Sequence, residues 1–191
     1  MNVDLLAQRL AQRGPRRVFR AIPARRAAVA IILDAQGRVL LMERAARTGD
    51  RWSSQVSLPG GMAHPSDASP ERTAARETFE EVGVDLAGVP CLGALDERRA
   101  VANGGLRPMS VAPFVYRLRQ PVAPVAGPEV ASAFWLPLER AARGELDATM
   151  TWPILGYPKR FACWRFEGQV VWGLTYGILQ RVLTLAQSAR Q

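Results

Sequence analysis

The chain has 191 residues, 48% of them hydrophobic, and a formal charge of +8. That size supports one buried core, and no apolar run approaches the roughly 20 residues that a membrane helix needs, so no membrane partner is expected. The charge is nearly all arginine, with Lys159 the sole lysine, and the arginines are dispersed without interleaved aromatics, which argues against a nucleic-acid platform.

The arginine-rich residues 1–26, broken by Pro15 and Pro23, are expected to form an N-terminal arm ahead of one domain over 27–191. Within the arm, Leu5, Leu6 and Leu10 have helical spacing and predict a short helix packed on the domain or on a second copy in a homodimer. Residues 27–33 and 39–42 are apolar runs separated by Asp34-Ala35-Gln36-Gly37, the pattern of a hairpin with a four-residue loop. Beyond an acidic segment around residue 77, strands are expected over 91–95, 109–118 and 130–136. Pro113 would demote its strand to an edge or mark a bulge. The Pro-rich run 121–128 reads as a long loop near the site. A short helix over 138–143 stops at Gly144, and Glu167-Gly168 is a two-residue turn between strands at 161–166 and 169–172. A last helix covers 174–187, with Ile178, Val182 and Leu185 on one face. This mixture lacks regular βαβ alternation and points to an α+β class. Cys91 and Cys163 have neither a disulfide pattern nor zinc-ligand spacing, so a cytoplasmic compartment is the default.

The acidic segment, Arg76-Glu77-Thr78-Phe79-Glu80-Glu81-Val82-Gly83-Val84, carries the chemistry. At 100° per residue, Glu77, Glu80 and Glu81 fall within about 100° of one another on a helix. Like charges at such spacings repel, so a cluster of three calls for a cation, although a bare E-x-x-E-E is by itself most often a solvated helix face. Ser69 can cap the helix, Pro70 suits its first position and Gly83 its left-handed stop. Ala75, Phe79 and Val82 form the expected apolar back. A rigid helix with carboxylates in front suits hard divalent cations, which take oxygen ligands.

This segment resembles the Nudix box, G-x5-E-x7-R-E-U-x-E-E-x-G-U with U a bulky aliphatic residue. Arg76, Glu77, Glu80, Glu81, Gly83 and Val84 match, and Thr78 stands at the first U. Counting back from Arg76, Ala68 and Met62 occupy the upstream glutamate and glycine positions; with one residue inserted, Gly61 is followed after five residues by Asp67. The pattern G-G-x-x-x-P-x-D is similar to the coenzyme A pyrophosphatase branch. So is Leu40-Leu41-Met42-Glu43-Arg44-Ala45 ahead of Ser57-Leu58-Pro59-Gly60-Gly61, although Met42, Ser54 and Leu58 depart from that branch's Thr, Gly and Phe. Glu129-Val130 before Phe134-Trp135-Leu136-Pro137 and Phe166-Glu167-Gly168 before Val171-Trp172-Gly173 extend the likeness.

The resemblance implies an α/β/α sandwich around a mixed β-sheet. It also implies a Mg2+ or Mn2+ site built from Glu77, Glu80, Glu81 and the backbone carbonyl of Gly61, with Arg76 pairing Glu80 at i,i+4. Together Arg76, Glu77, Glu80 and Glu81 form the expected catalytic set. Arg44 with Arg47 or Arg51, beside Gly60 and Gly61 of the Pro59-Gly60-Gly61 turn, is expected to hold the 3′-phosphate or the pyrophosphate of coenzyme A. Glu77, Glu129 and Asp96 all remain open as the general base, and His64 is left outside the catalytic set. The implied activity is cleavage of a small nucleoside diphosphate derivative: coenzyme A or a derivative, alternatively ADP-ribose or another nucleotide diphosphate. A binding-only module of the same fold, for nucleotide or RNA, is the reading from a different class.

Overall fold

The hairpin of β1 (Arg25–Leu33) and β2 (Arg38–Arg44) sits at the centre of the molecule, with Leu33 opposite Val39 across a four-residue loop. In the computed structural model, residues 1–12, 14–18, 25–49, 52–101, 108–154 and 156–187 are described. Arg51 and residues 19–24 of the arm lie outside them. The remaining elements are α1 (Val3–Ala11), β3 (Val56–Ser57), β4 (Gly60–Met62), α2 (Pro70–Val82), β5 (Cys91–Ala94), β6 (Arg98–Val101), β7 (Pro108–Arg117), β8 (Val130–Pro137), α3 (Leu138–Ala142), β9 (Asp147–Ile154), β10 (Tyr157–Phe166), β11 (Gln169–Trp172) and α4 (Gly173–Ala186).

The large sheet runs β3-β2-β1-β7-β5, with β4 also on β1, β6 on β7 and β8 on β2; β9, β10 and β11 form a smaller antiparallel sheet. Only β1 and β7 run parallel among the described pairs, so the sheet is mixed. Alternation along β1 divides the interior in two. Ala28, Ala30 and Ile32 face a core shared with Ala74 and Val82 of α2, whereas Ile31 and Leu33 face one shared with α1, α3 and α4. The result is the expected α/β/α sandwich.

Two expectations change, and the arm helix takes one of its two expected places. Pro113 lies in β7, an interior strand between β1 and β5/β6 rather than an edge. Its carbonyl accepts from Leu95 N at 2.9 Å, so its nitrogen faces the same side, where β5 has ended and β6 has not begun. The missing donor thus meets a break in the neighbouring ladder. Gly60 and Gly61, read as a turn, are strand β4 on β1. The arm helix packs on its own domain: Leu6 and Leu10 are buried, and Arg9 Nη1 donates to the carbonyls of Leu185 (2.9 Å) and Gln187 (2.7 Å) at the end of α4. Strands β3 and β6 had no clear periodic signal, whereas β9, not among the expected strands, alternates along Asp147–Ile154 in both sequence and burial.

Because Leu6 is fully buried, Leu6→Ala should cost about 2–5 kcal/mol, the range for large-to-small core changes. Urea unfolding checks this; a loss below about 1 kcal/mol would mean that α1 contributes little to the core.

Candidate active site

Helix α2 begins and ends as its sequence demands. Ser69 Oγ accepts from Arg72 N at 3.2 Å, Pro70 opens the first turn, and Gly83 closes the helix at φ 66°. Its buried stripe differs from the one expected. Thr73, Ala74, Thr78 and Val82 face inward, while Phe79 is 59% exposed. The helix is rotated by about 90° relative to the apolar reading, because Glu81 turns toward the sheet to accept from Gly60 N at 2.8 Å. The inward hydroxyls are satisfied locally, Thr78 on Ala74 O at 2.7 Å and Thr73 on Asp67 at 2.9 Å.

The three carboxylates are therefore graded in exposure. Glu80 is 55% exposed, Glu77 17% and Glu81 8% at the side chain. Arg76 lies among them: Nη1 is 2.9 Å from Glu77 and 3.1 Å from Glu80, while Nε and Nη2 contact the two oxygens of Asp67 at 3.0 and 3.1 Å. Nη2 also donates to Met62 O at 3.1 Å, fastening the helix to the end of β4. Asp67 in turn accepts from His64 N at 2.8 Å. The only sign of Asp67 in the sequence was the one-residue insertion that aligns it with the upstream acid.

Electrostatics follow from this packing. The Arg76 guanidinium, then the His64 and Thr73 donors, hold Asp67 well below the usual carboxylate range, and Asp67 raises Arg76 in return. Burial raises Glu77, against the pull of Arg76 and with the repulsion of Glu80. Burial pushes Glu81 up to about 7; the Gly60 N–H opposes this and the charges of Glu77 and Glu129 add to it.

Arg44 Nη1 is 4.0 Å from Glu81, and Arg47 pairs with Glu129 at 3.1 Å. Asp96 accepts from Arg16 N at 2.9 Å and ties down the arm, whereas Glu129 is close enough to Glu81 to repel it. His64 is exposed and touches Ser66. The Pro-rich loop docks on the end of α2, where Val125 N and Gly127 N donate to Val82 O (2.9 Å) and Glu81 O (2.8 Å). Those carbonyls have no partner within the helix, so the loop completes its terminus.

Among the described residues, no three His, Cys, Asp or Glu side chains converge on one point as they stand, since Arg76 separates Glu77 from Glu80 and Glu81 turns to Gly60. The donor chemistry nonetheless fits a hard divalent ion: three mutually repelling carboxylates, two held above their ordinary range largely by burial. Gly61 supplies the cradle, because a Cβ there would overlap the Glu77 carboxylate.

The chain matches the NUDIX domain over residues 23–153. It belongs to the Nudix family. It is 37% identical over 163 residues to the uncharacterized protein C14C4.10c of Schizosaccharomyces pombe, covering 72% of this chain and 49% of that one. Identity to Nudix hydrolase 15, mitochondrial, of Arabidopsis thaliana is 32%, covering 84% and 58% respectively. The chain thus spans only about half the length of these two relatives. In fold, it is similar to a bifunctional NMN adenylyltransferase/ADP ribose pyrophosphatase from Francisella tularensis, with a TM-score of 0.58 at 15% identity over 95% of this chain and 45% of that one.

Two glycines give opposite expectations. At Gly60 (φ 145°) a Cβ would strike the backbone of Ala28 and Val29, so Gly60→Ala should destabilise by about 1–3 kcal/mol. At Gly61 it would displace only the Glu77 carboxylate, so Gly61→Ala should keep the melting temperature and lose about 10–100-fold in turnover. Parallel melting and rate measurements distinguish the two.

Asp67 has its folded-state value depressed, so its contribution to stability is present above the unfolded value near 4 and is lost as pH falls through the folded one. Urea midpoints should fall on acidification below about pH 4, and Asp67→Asn should be less stable at pH 7 with a shallower acid limb.

Proposed function

We propose that the protein is a metal-dependent pyrophosphohydrolase of nucleoside diphosphate derivatives, with coenzyme A or a derivative as its substrate. The observation that carries this reading is the docking of α2 on β4. Arg76 holds Glu80 and holds Glu77 against Gly61, while Glu81 reaches the Gly60 N–H. Glu77, Glu80, Glu81 and the Gly61 carbonyl would hold Mg2+ or Mn2+. When bound, such an ion offsets charge on the diphosphate and lowers the pKa of a water that attacks phosphorus.

The chain's own residues do the rest. Arg76 fixes the rotamers of two acids through one guanidinium, and Asp67 fixes Arg76. Arg44, whose Nη1 is 4.0 Å from Glu81, would pair with a diphosphate oxygen, with Gly60 and Gly61 leaving room beside the backbone. Arg51 is the second arginine of this role, with Arg47 the alternative. Glu77 or Glu129 accepts the proton of the attacking water; Asp96 is engaged by the arm. Cleavage of coenzyme A yields 4′-phosphopantetheine and adenosine 3′,5′-bisphosphate. The coenzyme A assignment is supported by the match of Leu40, Leu41, Arg44, Ala45 and Pro59-Gly60-Gly61 to that branch. Two free thiols fit a reducing, cytoplasmic setting.

The test is chromatography of products from coenzyme A, oxidised coenzyme A, ADP-ribose, NADH and dinucleoside polyphosphates, with and without magnesium. Coenzyme A should be cleaved only with metal, and Glu80→Gln should be slower by at least about 100-fold. Wild type and Glu80→Gln equally inert across the panel would leave the binding-only module as the reading.

A further inference from the structure

The register of the large sheet brings together residues that lie far apart in the chain. Arg26 of β1 pairs with Ser110 of β7, and Ser110 pairs on its other side with Arg99 of β6. Residues opposite one another in neighbouring strands project from the same face, so Arg26, Ser110 and Arg99 form one row. The face is that of α2, because Ala28, two residues beyond Arg26, belongs to the core beneath that helix. Arg98 shows the alternation independently: its guanidinium reaches 3.3 Å from the Cβ position of Gly177 in α4, on the opposite face. Both Arg26 and Arg99 are exposed, and the small Ser110 between them is buried.

This row adjoins the acids. Ala28 pairs with Gly61, whose Cα lies under the Glu77 carboxylate, and Ala63 N donates to Arg26 O at 2.9 Å. Arg26 is therefore one side-chain repeat, about 7 Å along the strand, from Ala28, the residue that pairs with Gly61 beneath the Glu77 carboxylate. Across the row the two arginine backbones are two strand spacings apart, about 10 Å. That is an interval over which two long side chains close on one small anion, with a serine rather than a bulky residue on the floor between them. Guanidinium groups pair bidentately with phosphate oxygens, and two together select a doubly charged monoester over a hydroxyl.

We propose that Arg26 and Arg99, flanking Ser110, form a subsite for a phosphomonoester of the substrate distinct from the diphosphate that is cleaved; this rests on the diphosphate reading above. For coenzyme A that group is the 3′-phosphate, which leaves Arg44 to the diphosphate.

Two measurements on the full chain test the subsite. Calorimetry compares adenosine 3′,5′-bisphosphate with AMP, a pair that differs by the 3′-phosphate, and needs no turnover. Wild type should bind the bisphosphate at least about tenfold more tightly, a difference of about 1.4 kcal/mol. Arg26→Ala and Arg99→Ala should each remove most of that preference, while Arg26→Lys and Arg99→Lys, which keep the charge, should retain part of it. Steady-state kinetics with magnesium then compare coenzyme A with dephospho-coenzyme A. The ratio of their kcat/KM values should collapse in the alanine variants through KM. Equal binding of the two mononucleotides by wild type, or an undiminished preference in both folded alanine variants, overturns the subsite. Absence of turnover alongside a retained binding preference overturns the hydrolase reading and leaves the subsite standing.

Discussion

One guanidinium organises the site. Arg76 contacts Asp67 with two nitrogens, Glu77 and Glu80 with the third, and the carbonyl of Met62 as well. It therefore joins three pieces of backbone: the loop after β4, the last residue of β4 and two turns of α2. Without it, Asp67 would be a carboxylate only 7% exposed with no charge partner of its own among these contacts, and Glu77 and Glu80 would repel each other directly. A buried charge that loses its partner is far more costly than an exposed pair is valuable.

Backbone proximity is the second constraint. A helix bearing side chains as long as glutamate normally stands well clear of a strand, yet here Glu77 rests on Gly61 and Glu81 reaches the Gly60 amide. Both contacts need a strand without side chains at that point. The C-terminal backbone of α2 is held with similar economy. Gly127 meets the helix backbone so closely that a Cβ would overlap Glu80 O, and its amide occupies the unpaired carbonyl of Glu81. The strand beside Glu77 and Glu81 and the loop on the carbonyls of Glu81 and Val82 thus hold the C-terminal half of the helix from two directions.

Much of this architecture could be read from residue order because it is local. The caps at Ser69 and Gly83, the β1–β2 hairpin, the Glu167-Gly168 turn and the last helix depend on nearby backbone chemistry, and all occur where the pattern puts them. Phe79 misled for the opposite reason. Hydrophobicity placed it on the inner face, but the requirement that Glu81 meet Gly60 turned the helix and left the ring outside. Pro113 misled because its missing donor was judged against an unbroken ladder, whereas its neighbour is two strands with a gap between them.

The amino-acid order by itself determined that three carboxylates and an arginine would share one stretch of helix, since helix periodicity acts over a few residues; only the resemblance to the Nudix box joined the glycine pair to them. Tertiary structure alone decided how deeply each acid is buried, that Asp67 completes the Arg76 contacts, and that Arg26, Ser110 and Arg99 share a row. Those outcomes depend on strand register and on the roll of a helix over a sheet. Both are set by packing between segments dozens of residues apart, where no local periodicity reaches.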